Sequence, residues 1–241
     1  KEAFRILGLN GMFYYFDEVL KQATTEELSY SEFIKRLLEK ENDWKEENRV
    51  NRWTQQAHFE LDKTFKDYDF TFPKSINKRK VKELSTSVFI ENGQNIAFFG
   101  PTGVGKTHLA CSTGKKAIDN GFDVRFLKLK DLKKQLDKII DNGENLHGLS
   151  MGLLRPKLLI LDEMDLYESS NGVGEFLADL LTSRHQQKIS TIFTANQTFP
   201  AWMHIFGNQL RGETVIDRIM ENCIVIEIDG LSYRLHKKLR S

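Results

Sequence analysis

The chain has 241 residues, 40% of them hydrophobic and 29% charged, which leaves room for one large domain with a small appendage and excludes wholesale disorder. Lys and Arg number 35 against 34 Asp and Glu, so bulk charge by itself points to neither a nucleic-acid nor a membrane partner. Cys111 and Cys223 are too few and too far apart for a disulfide scaffold or a Cys-rich zinc site, and no apolar run approaches the ~18 residues that span a bilayer, so a reducing, cytoplasmic setting without a membrane is expected.

The chain opens on Lys1, not Met, with no signal-like segment, so residues preceding Lys1 in the full protein are expected. From Lys1 to about Asp67 the sequence carries helical periods and almost no strand signal. Lys1–Leu20 reads as a helix broken near Gly8 or Gly11. Phe33, Ile34, Leu37 and Leu38 share a helix face, with a start at Ser31 or at nearby Thr25 or Ser29. Val50, Trp53, Ala57 and Leu61 space a second, heavily charged helix that includes Glu46, Glu47, Arg49 and Arg52. The expectation is a helical N-terminal domain at residues 1–67 and a linker at 68–76, where Pro73 disfavours helix at Phe72. Residues 1–75 hold 12 Lys and Arg against 15 Asp and Glu. The later basic residues cluster at Lys78–Lys82 and at Lys128, Lys130, Lys133, Lys134 and Lys138.

Residues 77–241 alternate apolar runs with helical stretches. Strands are predicted at Ile96–Phe99, Val124–Leu127, Leu158–Leu161, Thr191–Ala195 and Cys223–Ile228. Helices are predicted at Lys106–Asp119, Asp131–Asp141, Val173–His185 and Glu213–Asn222. This is an α/β pattern: a five-stranded parallel sheet with helices on both faces.

Gly100-Pro101-Thr102-Gly103-Val104-Gly105-Lys106-Thr107 fits G-x-x-x-x-G-K-[ST], between a predicted strand and a predicted helix. Gly103 and Gly105 permit backbone conformations in which successive N–H groups turn inward. The helix that follows sets its positive dipole end under an anion. Lys106 is expected to reach the β- and γ-phosphates of ATP, and the Thr107 hydroxyl to ligate Mg²⁺. His108, next in the chain, stands either at the nucleotide or in structural packing. The histidines show no H-E-x-x-H spacing, so no other metal is indicated.

Leu158–Leu161 runs into Asp162 and Glu163. In open α/β sheets ligands bind at the carboxyl ends of the strands. There Asp162 is expected in the Mg²⁺ shell, and Glu163 is expected to orient or deprotonate a water. Asp165 follows as a third acid, expected on a loop and not catalytic. Thr191–Ala195 ends at Asn196, which is either a turn residue or, if its strand lies between those of the loop and the acids, a γ-phosphate ligand.

The whole pattern resembles the AAA+ P-loop ATPases. More narrowly it resembles the IstB-type ATP-binding proteins, helper ATPases of insertion-sequence transposition, and their relatives the DnaC-type helicase loaders. The resemblance rests on Gly100–Thr107, Leu158–Glu163, Thr194–Asn196, Val215–Arg218 and Ser232–Arg234. The stretches Glu47–Arg49, Ala57–Phe59 and Lys63–Phe70 favour the transposition helper. The resemblance implies an ATPase domain at 77–241 with a truncated lid. It implies Asn196 as sensor 1, Arg218 as an arginine finger reaching a neighbouring subunit's nucleotide, and Arg234 as sensor 2. The bland alternative for Arg218 is a surface ion pair with Glu221. A homo-oligomer, ring or helix, that binds duplex DNA and assists a cognate transposase is also implied. Lys128, Lys130, Lys133 and Lys134 are candidates for DNA phosphate contact, with a solvated helix face as the alternative; Lys78–Lys82, Arg49 and Arg52 are weaker candidates. A helicase loader and a small-molecule phosphotransferase remain open as other readings.

Overall fold

The computed structural model describes residues 1–164, 172–206 and 208–238. It forms two compact units, Lys1–Trp53 and Thr54–Ser241.

The first unit holds α1 (Glu2–Ile6), α2 (Asn10–Thr25) and most of α3 (Tyr30–Ala57). The helix break falls at Gly8, where φ is +71°, and not at Gly11. Gly11 lies inside α2 and lets two helices touch: a Cβ there would sit 2.7 Å from the Glu41 Cα. Glu41 is buried beneath it and accepts the Met12 N–H at 2.9 Å, replacing the side-chain cap that Leu9 cannot supply. Met12, Val19 and Leu37 form the small core, flanked by Phe4, Phe16 and Phe33. The start of α3 is marked by Ser29, whose N–H and hydroxyl both reach Glu32 and whose hydroxyl accepts the Glu32 N–H, a reciprocal cap two residues earlier than Ser31 would give. The two helices expected in this region are one continuous helix, and Leu61 lies beyond its end.

The two compact units divide at Trp53/Thr54, inside α3. Residues 54–74 belong by packing to the second unit: Arg125 donates to the Gln56 carbonyl and Lys115 pairs with Asp62.

In the second unit the order is β1 (Ser75–Ile76), α4 (Lys78–Leu84), α5 (Val88–Glu91), β2 (Asn95–Phe99), α6 (Lys106–Asp119), β3 (Val124–Lys128), α7 (Leu129–Asp141), α8 (His147–Leu154), β4 (Leu158–Asp162), α9 (Val173–Gln186), β5 (Ser190–Ala195), α10 (Gln209–Glu221), β6 (Cys223–Asp229) and α11 (Tyr233–Lys238). A 3-10 segment, Phe199–Phe206, precedes α10. The sheet has six strands in the order β1-β6-β2-β5-β4-β3. The five expected strands are present and parallel; the addition is the two-residue β1, antiparallel to β6.

Every residue of β2, β4 and β5 is buried, as continuous apolar runs require when helices cover both faces. Alternate residues serve opposite faces. Ala97, Phe99, Leu159, Leu161, Phe193 and Ala195 join the core under α7, α9, α10 and Trp202. Ile160, on the other face, packs against α6 at Gly114, where a Cβ would come 2.8 Å from its Cδ1. Beside the start of β5, Arg184 is 1% exposed and donates to the carbonyls of Leu153, Pro156 and Ser190 and to the Thr191 hydroxyl. Burial pulls its guanidinium down to about 9.

Candidate active site

Strand order decides which side chains meet. β5 lies between β2 and β4, so the loop after β2, the acids ending β4 and the residue after β5 share one edge. They surround a cavity of about 440 Å³ lined by Thr102, Gly103, Val104, Gly105, Lys106, Thr107, His108, Glu163, Asn196 and Arg234 among others.

The loop from Gly100 to Gly105 is held open by close packing. Gly103 has φ +86° and a Cβ there would fall 2.2 Å from the Ser232 Oγ; Gly105 has φ +97° and a Cβ would fall 2.5 Å from the Tyr68 ring. Side chains are excluded at both positions by strain and by space. α6 begins at Lys106, so its unpaired first-turn N–H groups lie at the cavity. The Lys106 ammonium donates to the Gly100 carbonyl at 2.7 Å, the Pro101 carbonyl at 2.9 Å and Asn196 Oδ1 at 2.8 Å. Thr102 Oγ1 donates to the same Asn196 oxygen at 3.3 Å.

Asp162 is fully buried. Its Oδ1 accepts from Thr107 Oγ1 at 2.8 Å and from Thr194 Oγ1 at 2.5 Å. Its Oδ2 is buried with no hydrogen-bond partner among the described residues. Burial raises the carboxyl above its ordinary range, against the two hydroxyl donors that lower it. A buried carboxylate oxygen without a partner, beside a hydroxyl, is an oxygen donor set that suits a hard divalent cation. No group of three or more His, Cys, Asp or Glu side chains among the described residues forms a metal cage. A Mg²⁺ ion fits that arrangement, since it is commonly held by one or two protein oxygens together with substrate phosphates.

Glu163 adopts φ +62°, a left-handed conformation that costs a non-glycine residue about 1 kcal/mol or more. Its N–H donates to Thr194 Oγ1 at 3.0 Å, so one threonine hydroxyl serves both acids. The Glu163 carboxylate lies 3.8 Å from Lys128 Nζ.

The structure separates the remaining candidates. Lys128 is not part of an exposed basic face: its side chain is 14% exposed and lies 2.6 Å from Glu60. Burial disfavours its charge, but the bond to Glu60 and the Glu60 and Glu163 charges outweigh that and raise its pKa. Lys130 and Lys134 are exposed and line a shallow groove with His58 and Arg125; Lys133 is half-buried. Lys134 pairs with Asp131 at 3.3 Å. Arg49 stacks on Trp53 and pairs with Glu46, and Lys78–Lys82 lie in α4, capped by Asn77. Arg218 does not line the cavity. It donates to Thr182 Oγ1 on α9 at 2.8 Å, while Glu221 pairs with His185. Asp165 lies outside the described residues.

His108 lines the cavity, but its Nε2 sits 2.8 Å from the Thr64 carbonyl, which assigns the proton to Nε2. Burial lowers its pKa. One wall was not anticipated: Leu61, Asp67, Tyr68, Phe72 and Pro73 from the connector, with Tyr233 from α11. The aromatic run at residues 65–72 is its signal, read above as a boundary and as part of the family resemblance but not as a wall of the site. Thr194 was also missed, although it precedes Asn196 by two residues and so shares its strand face.

A family described as IstB-like ATP binding protein matches residues 3–241. A Geobacillus stearothermophilus protein, named for ATP binding in insertion sequence IS5376, is 34% identical over 90% of this chain and 85% of its own length. A Pseudomonas aeruginosa protein, named for ATP binding in insertion sequence IS21, is 33% identical over 98% of this chain and 88% of its own. Among solved structures, the DnaC helicase loader superposes with a TM-score of 0.55 at 25% identity, covering 74% of this chain and 99% of that one.

Proposed function

From the premise that this chain belongs to the IstB-like ATP-binding protein family, we propose that it is a transposition helper: an ATPase that assembles on duplex DNA in the ATP state and assists its cognate transposase. The fold is that of an AAA+ P-loop domain, and the protein is an ATP hydrolase. One observation carries the reading of the site. Lys106, Thr107, Glu163 and Asn196, spread over 90 residues, line one cavity at the carboxyl edge of the sheet, and Asp162 lies buried behind them, hydrogen-bonded to Thr107.

In this reading the loop N–H groups at residues 103–106 bind the phosphates, and Lys106 exchanges its loop carbonyls for β- and γ-phosphate oxygens. Thr107 and Asp162 would hold Mg²⁺, which when bound neutralises charge on the phosphate oxygens. Glu163 accepts a proton from the attacking water, and Asn196 holds Lys106 and the water in line. Arg234, which lines the cavity from α11, would meet the nucleotide there. Arg218, turned away from its own protomer's cavity, is assigned to a neighbour's, where a guanidinium stabilises charge on the transferred phosphoryl group. Hydrolysis then depends on assembly.

For DNA the supporting feature is the exposed pair Lys130 and Lys134 beside His58 and Arg125; repeated around an oligomer, such groups contact phosphates without reading bases. Lys128 is excluded from that set by its burial and pairing. The helical N-terminal region is assigned to assembly and transposase contact, in the cytoplasm. The helicase-loader reading has the DnaC likeness behind it, but that covers 74% of this chain, whereas the IstB-type match includes the N-terminal helices.

The test is electron microscopy and DNA binding with ATP or ADP. ATP-dependent filaments or rings on duplex DNA, with affinity falling steeply as salt rises, are expected. A protein that stays monomeric on DNA while hydrolysing ATP at full rate contradicts the proposal.

A further inference from the structure

The connector wall of the cavity is fastened at two points, one on α6 and one on the phosphate loop. Thr64 and Asp67 cap a 3-10 turn at Phe65–Asp67, and the Thr64 carbonyl meets His108 Nε2 at 2.8 Å. Beyond it, Tyr68 is 9% exposed, and its hydroxyl donates to the Val104 carbonyl at 2.9 Å across 36 residues of sequence. Its ring occupies the space that a side chain at Gly105 would need. Phe70 and His108 hold that ring edge-on, at centroid distances of 4.8 and 5.3 Å. Burial pushes the phenol up to about 12, so it remains a donor throughout the working pH range.

A trans peptide is planar, and its C=O and N–H point in opposite directions. A hydroxyl that holds the Val104 carbonyl on the connector side therefore aims the Gly105 N–H the other way. We propose that Tyr68 is a positioning residue for the bound nucleotide, fixing the Val104–Gly105 peptide so that the loop presents its amide to the phosphates before they arrive. This deepens, and rests on, the assignment of the cavity to ATP. It makes phosphate affinity depend on docking of the connector.

The experiment measures binding of ATP and of tripolyphosphate by calorimetry, and KM and kcat for ATP, in wild type, Tyr68→Phe and Lys106→Ala. Phe keeps the ring and removes one buried hydrogen bond. Tyr68→Phe is expected to raise both Kd values and KM about fivefold, the usual weight of such a bond, with kcat nearly unchanged. A merely structural role would lower the binding stoichiometry and kcat and leave the Kd of the folded fraction alone. 4-Aminophenylalanine at position 68, which restores a donor, is expected to recover affinity. An unchanged Kd in folded Tyr68→Phe, or no recovery with the restored donor, overturns the proposal. Should Tyr68→Phe not fold, fluorinated tyrosines at position 68 keep ring and hydroxyl while varying donor strength; Kd values that ignore donor strength overturn it equally. Failure of the site assignment looks different: wild type would not bind tripolyphosphate, or Lys106→Ala would bind ATP as tightly as wild type.

Discussion

The Lys106 ammonium donates to Asn196 Oδ1 at 2.8 Å, although 90 residues separate them. The bond exists because β2 and β5 are adjacent and in register, Phe99 opposite Ala195, which brings the residues following both strands level. A hydrogen bond to a charged group contributes about 1.5–3 kcal/mol. Asn196→Ala is therefore expected to lower kcat/KM for ATP by roughly ten- to a hundredfold, measured by steady-state hydrolysis. Asn196→Asp is a poor substitute, because it places a second negative charge toward the phosphates.

Glu163→Gln is expected to bind ATP and fail to hydrolyse it, leaving a long-lived assembly on DNA. Arg218→Ala is expected to bind ATP normally and to be inactive alone. A mixture of the two pairs an intact Glu163 with an intact Arg218 at some junctions. Recovery of hydrolysis in the mixture, absent from either protein alone, is the expected outcome, and additive inactivity contradicts action across protomers.

Thr194→Val removes a donor to Asp162 and the acceptor of the Glu163 N–H in one step. The Glu163 N–H is only partly buried, so leaving it without a partner costs up to about 1 kcal/mol, the low end for an unpaired buried donor. The melting temperature is expected to fall by several degrees, with hydrolysis reduced more than ATP binding. Thr194→Ser keeps the hydroxyl and is expected to stay close to wild type in both. Calorimetric melting and single-turnover hydrolysis check the pair.

Burial lowers the His108 pKa. As pH falls the unfolded chain takes up the proton first, at about 6.5. The stabilisation by neutral His108 is thus present above that value and is lost as pH drops through the lower folded value. Melting temperature is expected to decline as pH falls below about 6.5. In His108→Gln, whose amide can still donate to the Thr64 carbonyl, that decline is expected to be smaller. An equal decline in both proteins removes His108 from the acid sensitivity.

Several features were legible from residue order because they are local. Ile96–Phe99 and Leu158–Leu161 are unbroken apolar runs, the other three parallel strands are mainly apolar, and α6 begins where the glycine loop ends. Other elements carried no such mark. α8 has the composition of a buried segment without a clear period, β1 is two residues long, and the division of the units falls inside a helix whose surface pattern does not change there. The lysine cluster misled for a similar reason: sequence places Lys128 beside Lys130, but β3 ends at Lys128 and α7 begins at the next residue, which sends the two side chains to different surroundings.

Residue types and spacing alone determined that a phosphate loop, a pair of acids and a strand-end amide stand at the ends of buried strands, since each is set by the backbone within a few residues of itself. Tertiary structure alone decided that β5 runs between β2 and β4, that Lys128 meets Glu60 and Glu163, and that Tyr68 braces the loop from outside. Those contacts join segments 30 to 100 residues apart; they arise from strand pairing and shared burial, which leave no periodicity in the chain to be read.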